Sequence, residues 1–322
     1  MTNSNEFHYT VDKWNGDPAA DRDKFIGGSD AGTILGLNPF QSAYTLWAQK
    51  TGLIPFPDLS DKLAVWFGTE EEEIVAKRFC VETGKKVRKS NMSYGIEEYP
   101  FLRGHVDRLV VGEDAGLECK TTGSWNKTNY LNGEIPPMHY AQVQFYMLVT
   151  GKPVWYYAVK KDNNQFYQGP VQRDDEYISE MLPMLVDFWK HVQDKEPVDI
   201  DGSRSTTETL SQLHPGDSTD TEIMYLGSDI DDLLGEREQL NDSIDDLKES
   251  CSQIDNQIKD RLGDTQKAQS EHFKVSWINA KPRETIDSKR LRKEYPDVYE
   301  ECKKIGSASR RFTVTRKKED KE

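Results

Sequence analysis

Residues 103–122 read RGHVDRLVVGEDAGLECKTT. Their two apolar or β-branched runs, His105–Val111 and Gly116–Thr121, are separated by GEDAG at 112–116. Glycine and aspartate between two such runs are typical of a hairpin turn. The sequence therefore predicts two antiparallel strands joined by this turn.

Side chains in the second predicted strand alternate in character. Glu118 and Lys120 are two residues apart and therefore point to one face, while Leu117 and Cys119 point to the other, buried face. Placing two charged side chains on a largely apolar strand is costly unless they have a function. Asp107 on the neighbouring strand can lie close to Glu118 across the hairpin, so we expect a cluster of two carboxylates and a lysine.

This cluster has the chemistry of a divalent-metal site for phosphodiester hydrolysis. Mg²⁺ prefers oxygen ligands, and we expect Asp107, Glu118 and the backbone carbonyl of Cys119 to provide them. Mn²⁺ would also accept such a site. Lys120 would orient the attacking water and stabilise developing negative charge. The alternative is an ordinary surface hairpin that carries a Glu–Lys pair.

Composition excludes several classes of protein. The 322 residues include 42 Lys/Arg and 56 Asp/Glu, a net charge of −14, which argues against an unspecific nucleic-acid coat but leaves room for one local basic groove. The sequence has no apolar run of about 18 residues, so no membrane span is predicted. We expect a cytoplasmic protein, because the N-terminus has no signal-peptide pattern and the four cysteines are scattered.

Four segments differ in composition. Residues 1–196 carry most of the aromatic residues and are predicted to form a mixed α/β domain. Residues 197–222 are rich in Ser, Thr and Asp and are predicted to be a linker. Residues 223–262 follow as a helical arm, and residues 263–322 form a small basic α/β module.

The arm is predicted from a heptad pattern. Apolar residues recur at alternating spacings of three and four, interrupted by Arg237, at Ile223, Leu226, Ile230, Leu233, Leu240, Ile244, Leu247, Cys251, Ile254 and Ile258. Such a pattern favours a coiled coil or a helical hairpin, and the alternative is a helix packed on its own domain.

The C-terminal module is predicted to contain a strand at 272–278, a helix at 287–304 and a strand at 310–316. Between residues 271 and 318 there are fourteen Lys/Arg and seven Asp/Glu, an excess that could contact DNA backbone or an acidic partner.

Four sequence blocks, in order, carry a family resemblance that covers about residues 20–190. They are Arg22 with FIGGSDAG (25–32) and the LGLNPFQSAYTLWAQKTG that follows, FGTEEE (67–72) at the opening of a helix, HVD (105–107) with LECK (117–120), and AQVQFYMLVTG (141–151) before the strand VWYYAV (154–159). Together they resemble the YqaJ-type viral recombinases, relatives of phage lambda exonuclease in the PD-(D/E)xK nuclease superfamily. The resemblance implies a central mixed β-sheet flanked by helices.

The resemblance also implies roles for individual residues. Asp107 and Glu118 match the metal-binding acids, Lys120 the catalytic lysine, and Glu72 a glutamate that supports a metal-bound water. Gln142 and Tyr146, four apart on a helix, resemble a Q-x-x-x-Y element beside the active site.

Further matches concern the DNA. Gln144 is a nearby alternate to Gln142, and Arg22 and Ser29 are similar to a pair that grips a terminal 5′-phosphate. His105 stands where the lambda enzyme has a phosphate-binding serine, and it either binds the phosphate or packs. The proline of the superfamily pattern is replaced by Val106.

The activity implied is that of a Mg²⁺-dependent 5′→3′ exonuclease that acts on double-stranded DNA ends and leaves 3′ tails for phage-type recombination. The implied partners are a single-strand annealing protein of the Red-beta or RecT type and further copies of the chain in a trimeric ring, in the cytoplasm of a bacterial host. Two alternatives remain open: an endonuclease on the same fold, and a non-catalytic adaptor that binds DNA ends.

Overall fold

The computed structural model describes residues 7–14, 21–123, 125–216, 223–306 and 311–316, in two compact units that divide after Pro215. The helices of the first unit are α1 (Gly28–Ile34), α2 (Ala43–Lys50), α3 (Leu63–Thr83), α4 (Pro137–Thr150), α5 (Asp175–Asp194) and α6 (Arg204–Leu213). Its strands are β1 (Tyr9–Lys13), β2 (Val87–Lys89), β3 (Met92–Ile96), β4 (Tyr99–His105), β5 (Arg108–Val110), β6 (Ala115–Thr122), β7 (Val154–Lys161) and β8 (Gln165–Gln172).

A five-stranded mixed sheet in the order β2-β5-β6-β7-β8 forms the centre of this unit. Strands β6 and β7 are parallel, and the other neighbouring pairs are antiparallel. Side chains alternate along each strand, so the sheet has two packed faces. On one face, Leu117 and Cys119 of β6 pack against α3. On the other, Trp155 and Tyr157 of β7 belong to the larger core that includes α4 and α5. The predicted fold class, a central mixed sheet flanked by helices, is confirmed.

The prediction of one strand over residues 105–111 is wrong. β4 ends at His105 and pairs with β3 in a separate three-stranded sheet, whereas β5 begins at Arg108 and belongs to the central sheet. The chain crosses between the two sheets at Val106 and Asp107. The hairpin itself is as predicted, since β5 pairs antiparallel with β6 through Arg108–Leu117 and Leu109–Gly116.

The linker interpretation of residues 197–222 is wrong for α6, and residues 217–222 lie outside the described part of the chain. Helix α6 packs on α2 through buried hydroxyl groups. The Oγ1 atoms of Thr45 and Thr209 are 2.8 Å apart, and Thr206 donates to Oγ of Ser42 at 2.8 Å. The buried residues of this helix are threonines, and Leu210 and Leu213 are only partly buried, so its composition is that of a loop, which explains the error.

The second unit contains one long helix, α7 (Ser228–Leu262), followed by β9 (Lys267–Gln269), β10 (Lys274–Ser276), α8 (Ser288–Glu294) and α9 (Pro296–Cys302). The predicted arm is therefore helical from residue 228, and Ile223 and Leu226 precede the helix. No helix in the described ranges is long and apolar enough to cross a membrane.

Three details of the C-terminal prediction need correction. The strand predicted at 272–278 covers only 274–276 and pairs with β9. The helix predicted at 287–304 is broken at Pro296, because the residue before a proline disfavours the helical conformation. Residues 311–316 are irregular rather than a strand, and residue 310 is not described.

Candidate active site

The predicted acid–acid–lysine cluster forms where β5 stops and β6 continues. The last β5–β6 pair is Arg108 with Leu117, so the next amides of β6 on that side have no strand partner. The backbone N–H of Cys119 instead donates to Oδ2 of Asp107 at 3.4 Å. Glu118 is only 2% exposed, and its Oε1 lies 2.6 Å from Nζ of Lys120. The structure therefore brings Asp107, Glu118 and Lys120 together.

The closeness of the carboxylates and the lysine shifts the pKa values of the groups in this cluster. Burial and then the charge of Glu118 raise the pKa of Asp107 to about 7. Burial opposes the positive charge of Lys120, but the adjacent Glu118 and Asp107 outweigh it and raise the lysine's pKa above its usual value. The lysine thus remains cationic, and one negative charge is left over when both acids ionise.

The cluster fits a divalent cation held by few protein ligands. Oε2 of Glu118 is buried and has no hydrogen-bond partner within the described residues. A buried carboxylate oxygen without a donor is costly, and a cation would satisfy it. The described ranges contain no group of three or more His, Cys, Asp or Glu side chains arranged to hold a metal. Two carboxylates completed by a backbone carbonyl and waters is the mode that suits Mg²⁺.

Glu72 lies on α3 and is paired with Arg108, whose Nη2 is 2.8 Å from its Oε1 and 3.1 Å from Oε2 of Glu73. Arg108 is 2% exposed, so these pairs provide the counter-charges that its burial requires. Burial and then the negative charge of Asp107 raise the pKa of Glu72. Glu72 is thus electrostatically coupled to the carboxylate cluster while its own carboxylate is held by Arg108.

Gln142 and Tyr146 lie on one face of α4, as predicted. Nε2 of Gln142 donates to the Tyr146 hydroxyl at 2.9 Å, and both side chains are buried. Burial, followed by the charges of Glu118 and Asp107, raises the pKa of Tyr146 well above its ordinary value, so the hydroxyl keeps its proton. This proton is available for a carboxylate or a substrate oxygen.

Helix α1 packs closely against this tyrosine. A Cβ placed on Gly28 would lie 2.6 Å from Cε1 of Tyr146, a contact that no side chain could keep. The glycine-rich sequence GGSDAG therefore lets α1 approach α4 beside the cluster.

Gln144 is fully buried and its amide is committed elsewhere. Its Nε2 donates to the carbonyl of Gln172 at 2.9 Å, and its Oε1 accepts from the backbone N–H of Asp174 at 3.0 Å. These bonds fix the connection between β8 and α5. We therefore assign Gln144 to the scaffold and leave it out of the proposed DNA contacts.

The residues predicted to grip a 5′-phosphate lie on the segment that leads into α1. The Arg22 guanidinium stacks over the Phe56 ring at 5.2 Å, and Ser29 is exposed in the first turn of α1. The segment is held by Lys50, whose buried Nζ donates to the carbonyl of Arg22 at 2.6 Å and lies 2.9 Å from Oδ2 of Asp30.

His105 ends β4 and contributes to a cleft of 650 Å³ that Asp107 also lines. Its ring lies 4.0 Å from that of Trp14 and 5.2 Å from that of Phe25. Burial, assisted by the charge of Arg103, lowers the pKa of His105. Nε2 of His105 is buried without a hydrogen-bond partner in the described ranges, so both predicted roles, packing and ligand contact, are compatible with its position.

A second cavity, of 410 Å³, has Lys120 in its lining. Phe40 and Trp125 contribute to its wall, and each is 71% exposed. The Thr122 hydroxyl, also in the wall, has no partner among the described residues. His139 bonds to the Tyr157 hydroxyl at 2.8 Å, and burial lowers its pKa to about 3, so this imidazole is uncharged at neutral pH and Lys120 provides the positive charge of the lining.

Comparisons with known proteins identify the family of this chain. The model of the YqaJ-like viral recombinase domain matches residues 19–153, which contain the whole carboxylate–lysine cluster. The uncharacterized protein YqaJ of Bacillus subtilis (strain 168) is 35% identical over 290 residues, which cover 88% of this chain and 89% of that protein. The chain belongs to the YqaJ-like viral recombinase family.

Solved structures to which this chain is similar include an alkaline exonuclease (LHK-Exo) from Laribacter hongkongensis, at 18% identity over 61% of this chain and 98% of that chain, with a TM-score of 0.45. A phage related exonuclease from Haemophilus somnus 129PT is 14% identical over 53% of this chain and 94% of that chain, with a TM-score of 0.42.

Sequence reasoning missed two charged residues that organise the site of this YqaJ-like protein. The sequence could have predicted an ion pair for Arg108, because an arginine followed by Leu109 and Val110 on a predicted buried strand needs a carboxylate partner. Nothing in the sequence around Lys50 predicts its role, since its partners are mostly backbone carbonyls of a distant segment.

Proposed function

We propose that this protein is a divalent-metal-dependent nuclease that degrades the 5′ strand from double-stranded DNA ends and leaves 3′ single-stranded tails. The observation that carries the proposal is the buried Glu118 next to Asp107. One of its oxygens lies 2.6 Å from Nζ of Lys120, and the other has no donor among the described residues. The end-dependence and the 5′→3′ polarity rest on the family resemblance.

In this proposal Asp107, Glu118 and the Cys119 carbonyl would hold a divalent cation. Mg²⁺ or Mn²⁺ bound there would polarise the scissile phosphate and lower the pKa of a coordinated water. Lys120 provides a positive charge fixed by its bond to Glu118, which positions the attacking water and compensates charge on the phosphate. Glu72 orients water at the edge of the site, and Tyr146 offers its hydroxyl proton to a substrate oxygen.

The cavity beside Lys120 supports contact with the bases of the cleaved strand. Exposed aromatic rings of the kind found at Phe40 and Trp125 are the usual stacking surfaces for unpaired bases. The aromatic and apolar part of the wall offers a base a stacking surface, and Lys120 at its edge suits the phosphate attached to that base. Arg22, Ser29 and His105 are proposed to contact the 5′-phosphate, since a guanidinium, a hydroxyl and an imidazole suit a terminal phosphate.

The wider role proposed is phage-type recombination in a bacterial cytoplasm, with a single-strand annealing protein that pairs the 3′ tails. Family membership supports this role. A trimeric ring around DNA remains a prediction from the resemblance.

The test is digestion of a linear duplex that carries a 5′-phosphate on one strand only, in Mg²⁺, with EDTA and covalently closed circular DNA as controls. We expect loss of the phosphorylated strand alone and an intact circle. Nicking of the circle would favour the endonuclease alternative, and absence of cleavage in Mg²⁺ or Mn²⁺ would favour the adaptor. Glu118→Ala should abolish cleavage, and strong metal-dependent cleavage by this variant would refute the site.

A further inference from the structure

Lys50 is the last residue of α2, and its ammonium group is buried among three acceptors. Only 1% of the side chain is exposed. Its Nζ donates to the carbonyl oxygens of Arg22 and Phe25, each at 2.6 Å, and lies 2.9 Å from Oδ2 of Asp30. An ammonium group has three N–H donors, so these three acceptors account for all of them. Lys50 therefore has no donor left for a substrate and acts only through the residues that it holds.

The two carbonyls belong to the segment that carries the proposed phosphate-binding arginine. They are three residues apart and bond to the same cation, so the chain turns around Nζ of Lys50 between Arg22 and Phe25. The Arg22 guanidinium lies 5.2 Å from the centre of the Phe56 ring, and Nζ of Lys50 lies 6.0 Å from the centre of the same ring. Both the backbone and the side chain of Arg22 are thus positioned next to Lys50.

Asp30, the third acceptor, lies in the first turn of α1. Its Oδ2 also accepts from the backbone N–H of Gly27 at 3.0 Å, which fixes the start of the helix that contains Ser29. Between these contacts and the two carbonyls, the N–H of Ile26 donates to a carbonyl of β4 at 2.7 Å. Lys50 therefore holds the segment on both sides of its contact with β4.

Stability alone does not explain a buried ion pair at this place. Removing two charges from water costs about as much as their attraction returns, so apolar residues of similar volume often give equal or greater stability. What the Lys50–Asp30 pair provides is a fixed position, because an ammonium group satisfies three acceptors at once only within hydrogen-bonding distance of all of them. The pair is therefore better explained by the geometry that it imposes on residues 22–30.

We propose that Lys50 is a positioning residue for recognition of the DNA 5′ end. By holding residues 22–30 at both ends, it sets the distance between the Arg22 guanidinium and the Ser29 hydroxyl, and a terminal phosphate binds both groups only at a suitable separation. The inference rests on the proposed function, which assigns these phosphate contacts. It adds that discrimination between a 5′-phosphate and a 5′-hydroxyl depends on a side chain that does not touch the DNA.

The test uses the full-length protein with Lys50→Met combined with Asp30→Asn. This double variant removes both charges, so neither is left buried without a partner, and the asparagine can still accept from the N–H of Gly27. Hairpin duplexes with one open end carry either a 5′-phosphate or a 5′-hydroxyl. Their Kd is measured by fluorescence anisotropy in EDTA, and kcat is measured on the same DNA in Mg²⁺.

We expect the ratio of the two Kd values, which measures the preference for the phosphate, to fall about tenfold or more. A loss of this size corresponds to one misplaced hydrogen bond to a charged group. Binding and kcat with the 5′-hydroxyl duplex should stay at the wild-type values, because the carboxylate–lysine cluster is unchanged. A general loss of structure would lower all of these quantities together.

Lys24→Met is the matched control, because Lys24 lies in the same segment but its side chain is 68% exposed and pairs with Asp21. Loss of an exposed pair has little energetic effect, so the phosphate preference should not change. Arg22→Ala should lower the preference in the wild type and add little in the double variant, since residues that act through one another are not additive.

A double variant that keeps the wild-type preference would overturn the inference, and so would an equal effect of Arg22→Ala in both backgrounds. If circular dichroism shows that the double variant does not fold, Lys50→Arg takes its place. Arginine keeps the charge beside Asp30, but its larger planar head group displaces the carbonyls, so an unchanged preference would again overturn the inference. A wild type that binds both ends equally would refute the phosphate contacts themselves and the inference with them. Failure of cleavage alone would leave the binding measurement unaffected.

Discussion

Replacing Asp107 by asparagine is expected to stabilise the metal-free protein at neutral and alkaline pH, although it removes a proposed metal ligand. Burial and the charge of Glu118 raise the pKa of Asp107 from 3.8 to about 7. The folded state therefore keeps a proton that the unfolded chain loses above pH 3.8. The contribution of Asp107 to the unfolding free energy is therefore fully present below pH 3.8 and is lost as the pH rises through about 7. Asparagine keeps the oxygen that accepts from Cys119 and does not titrate.

The size of the effect follows from the pKa shift. Each unit corresponds to about 1.4 kcal/mol, so the unfolding free energy of the wild type falls by at most about 4 kcal/mol relative to the variant. The difference is absent near pH 4, grows up to pH 7 and is constant above it. Asp107 is partly exposed, and solvent screening reduces the expected difference to between about 2 and 4 kcal/mol.

The assay is urea or thermal unfolding in EDTA at intervals from pH 4 to pH 8, repeated with Mg²⁺. Mg²⁺ at a hundred times its Kd should stabilise the wild type by about 2.7 kcal/mol and the variant by nearly nothing. The matched control is Asp114→Asn, on the hairpin turn, where the side chain is 69% exposed and pairs with Lys152. It should change stability by less than about 0.5 kcal/mol and keep the Mg²⁺ response.

If Asp107→Asn is no more stable than the wild type at pH 8 in EDTA, repulsion between the carboxylates does not govern this site. If the variant retains the full Mg²⁺ stabilisation, Asp107 is not a ligand.

Three further predictions concern activity. Lys120→Ala should lower the cleavage rate about 100-fold or more and leave the Mg²⁺ stabilisation in place, as turnover and thermal unfolding will show. Gly28→Ala should displace the Tyr146 ring, cost about 1–3 kcal/mol in unfolding free energy and reduce cleavage. Trp125→Ala should weaken binding of a DNA end in EDTA by about 1–3 kcal/mol if a base stacks there, measured with 2-aminopurine at the 5′ terminus.

The glycine and tryptophan variants each have a control within the chain. A Cβ added to Gly169 would meet no atom within 4 Å, so Gly169→Ala should change neither the unfolding free energy nor the cleavage rate. Trp277 is a half-exposed tryptophan of the second unit, and Trp277→Ala should not change 2-aminopurine fluorescence. A Lys120→Ala variant with wild-type turnover would remove the lysine from the mechanism, and equal effects of Trp125→Ala and Trp277→Ala would remove the base contact.

The part of the site that follows from local periodicity was predictable from sequence. The alternation of Leu117 and Cys119 with Glu118 and Lys120 fixes two opposite faces, and the structure places the first pair against α3 and the second in the cluster. The spacing of Gln142 and Tyr146 fixes one face of α4 in the same way. These inferences need only the periods of a strand and a helix.

What sequence could not supply is the set of contacts between distant segments. Helix α6 was not predicted because its fully buried residues are threonines that hydrogen-bond to α2, and its two leucines, Leu210 and Leu213, are only partly buried. The carbonyls that hold Lys50 have no residue-type signature at all. Both cases involve hydrogen bonds whose partners are set by tertiary structure.

The interruption at Val106 and Asp107 shows why local patterns mislead at this site. A continuous strand over 105–111 would extend the ladder past Leu117 and pair the Cys119 amide with backbone. Because the chain instead leaves one sheet for another at this point, that amide is free to bond the Asp107 carboxylate. Arg108, the first residue of β5, can then bury its guanidinium against Glu72 and Glu73 on α3. The same break therefore places Asp107 beside the Cys119 amide and lets Arg108 pair with Glu72 and Glu73 on α3. A sequence pattern that treats residues 105–111 as one continuous strand predicts neither contact.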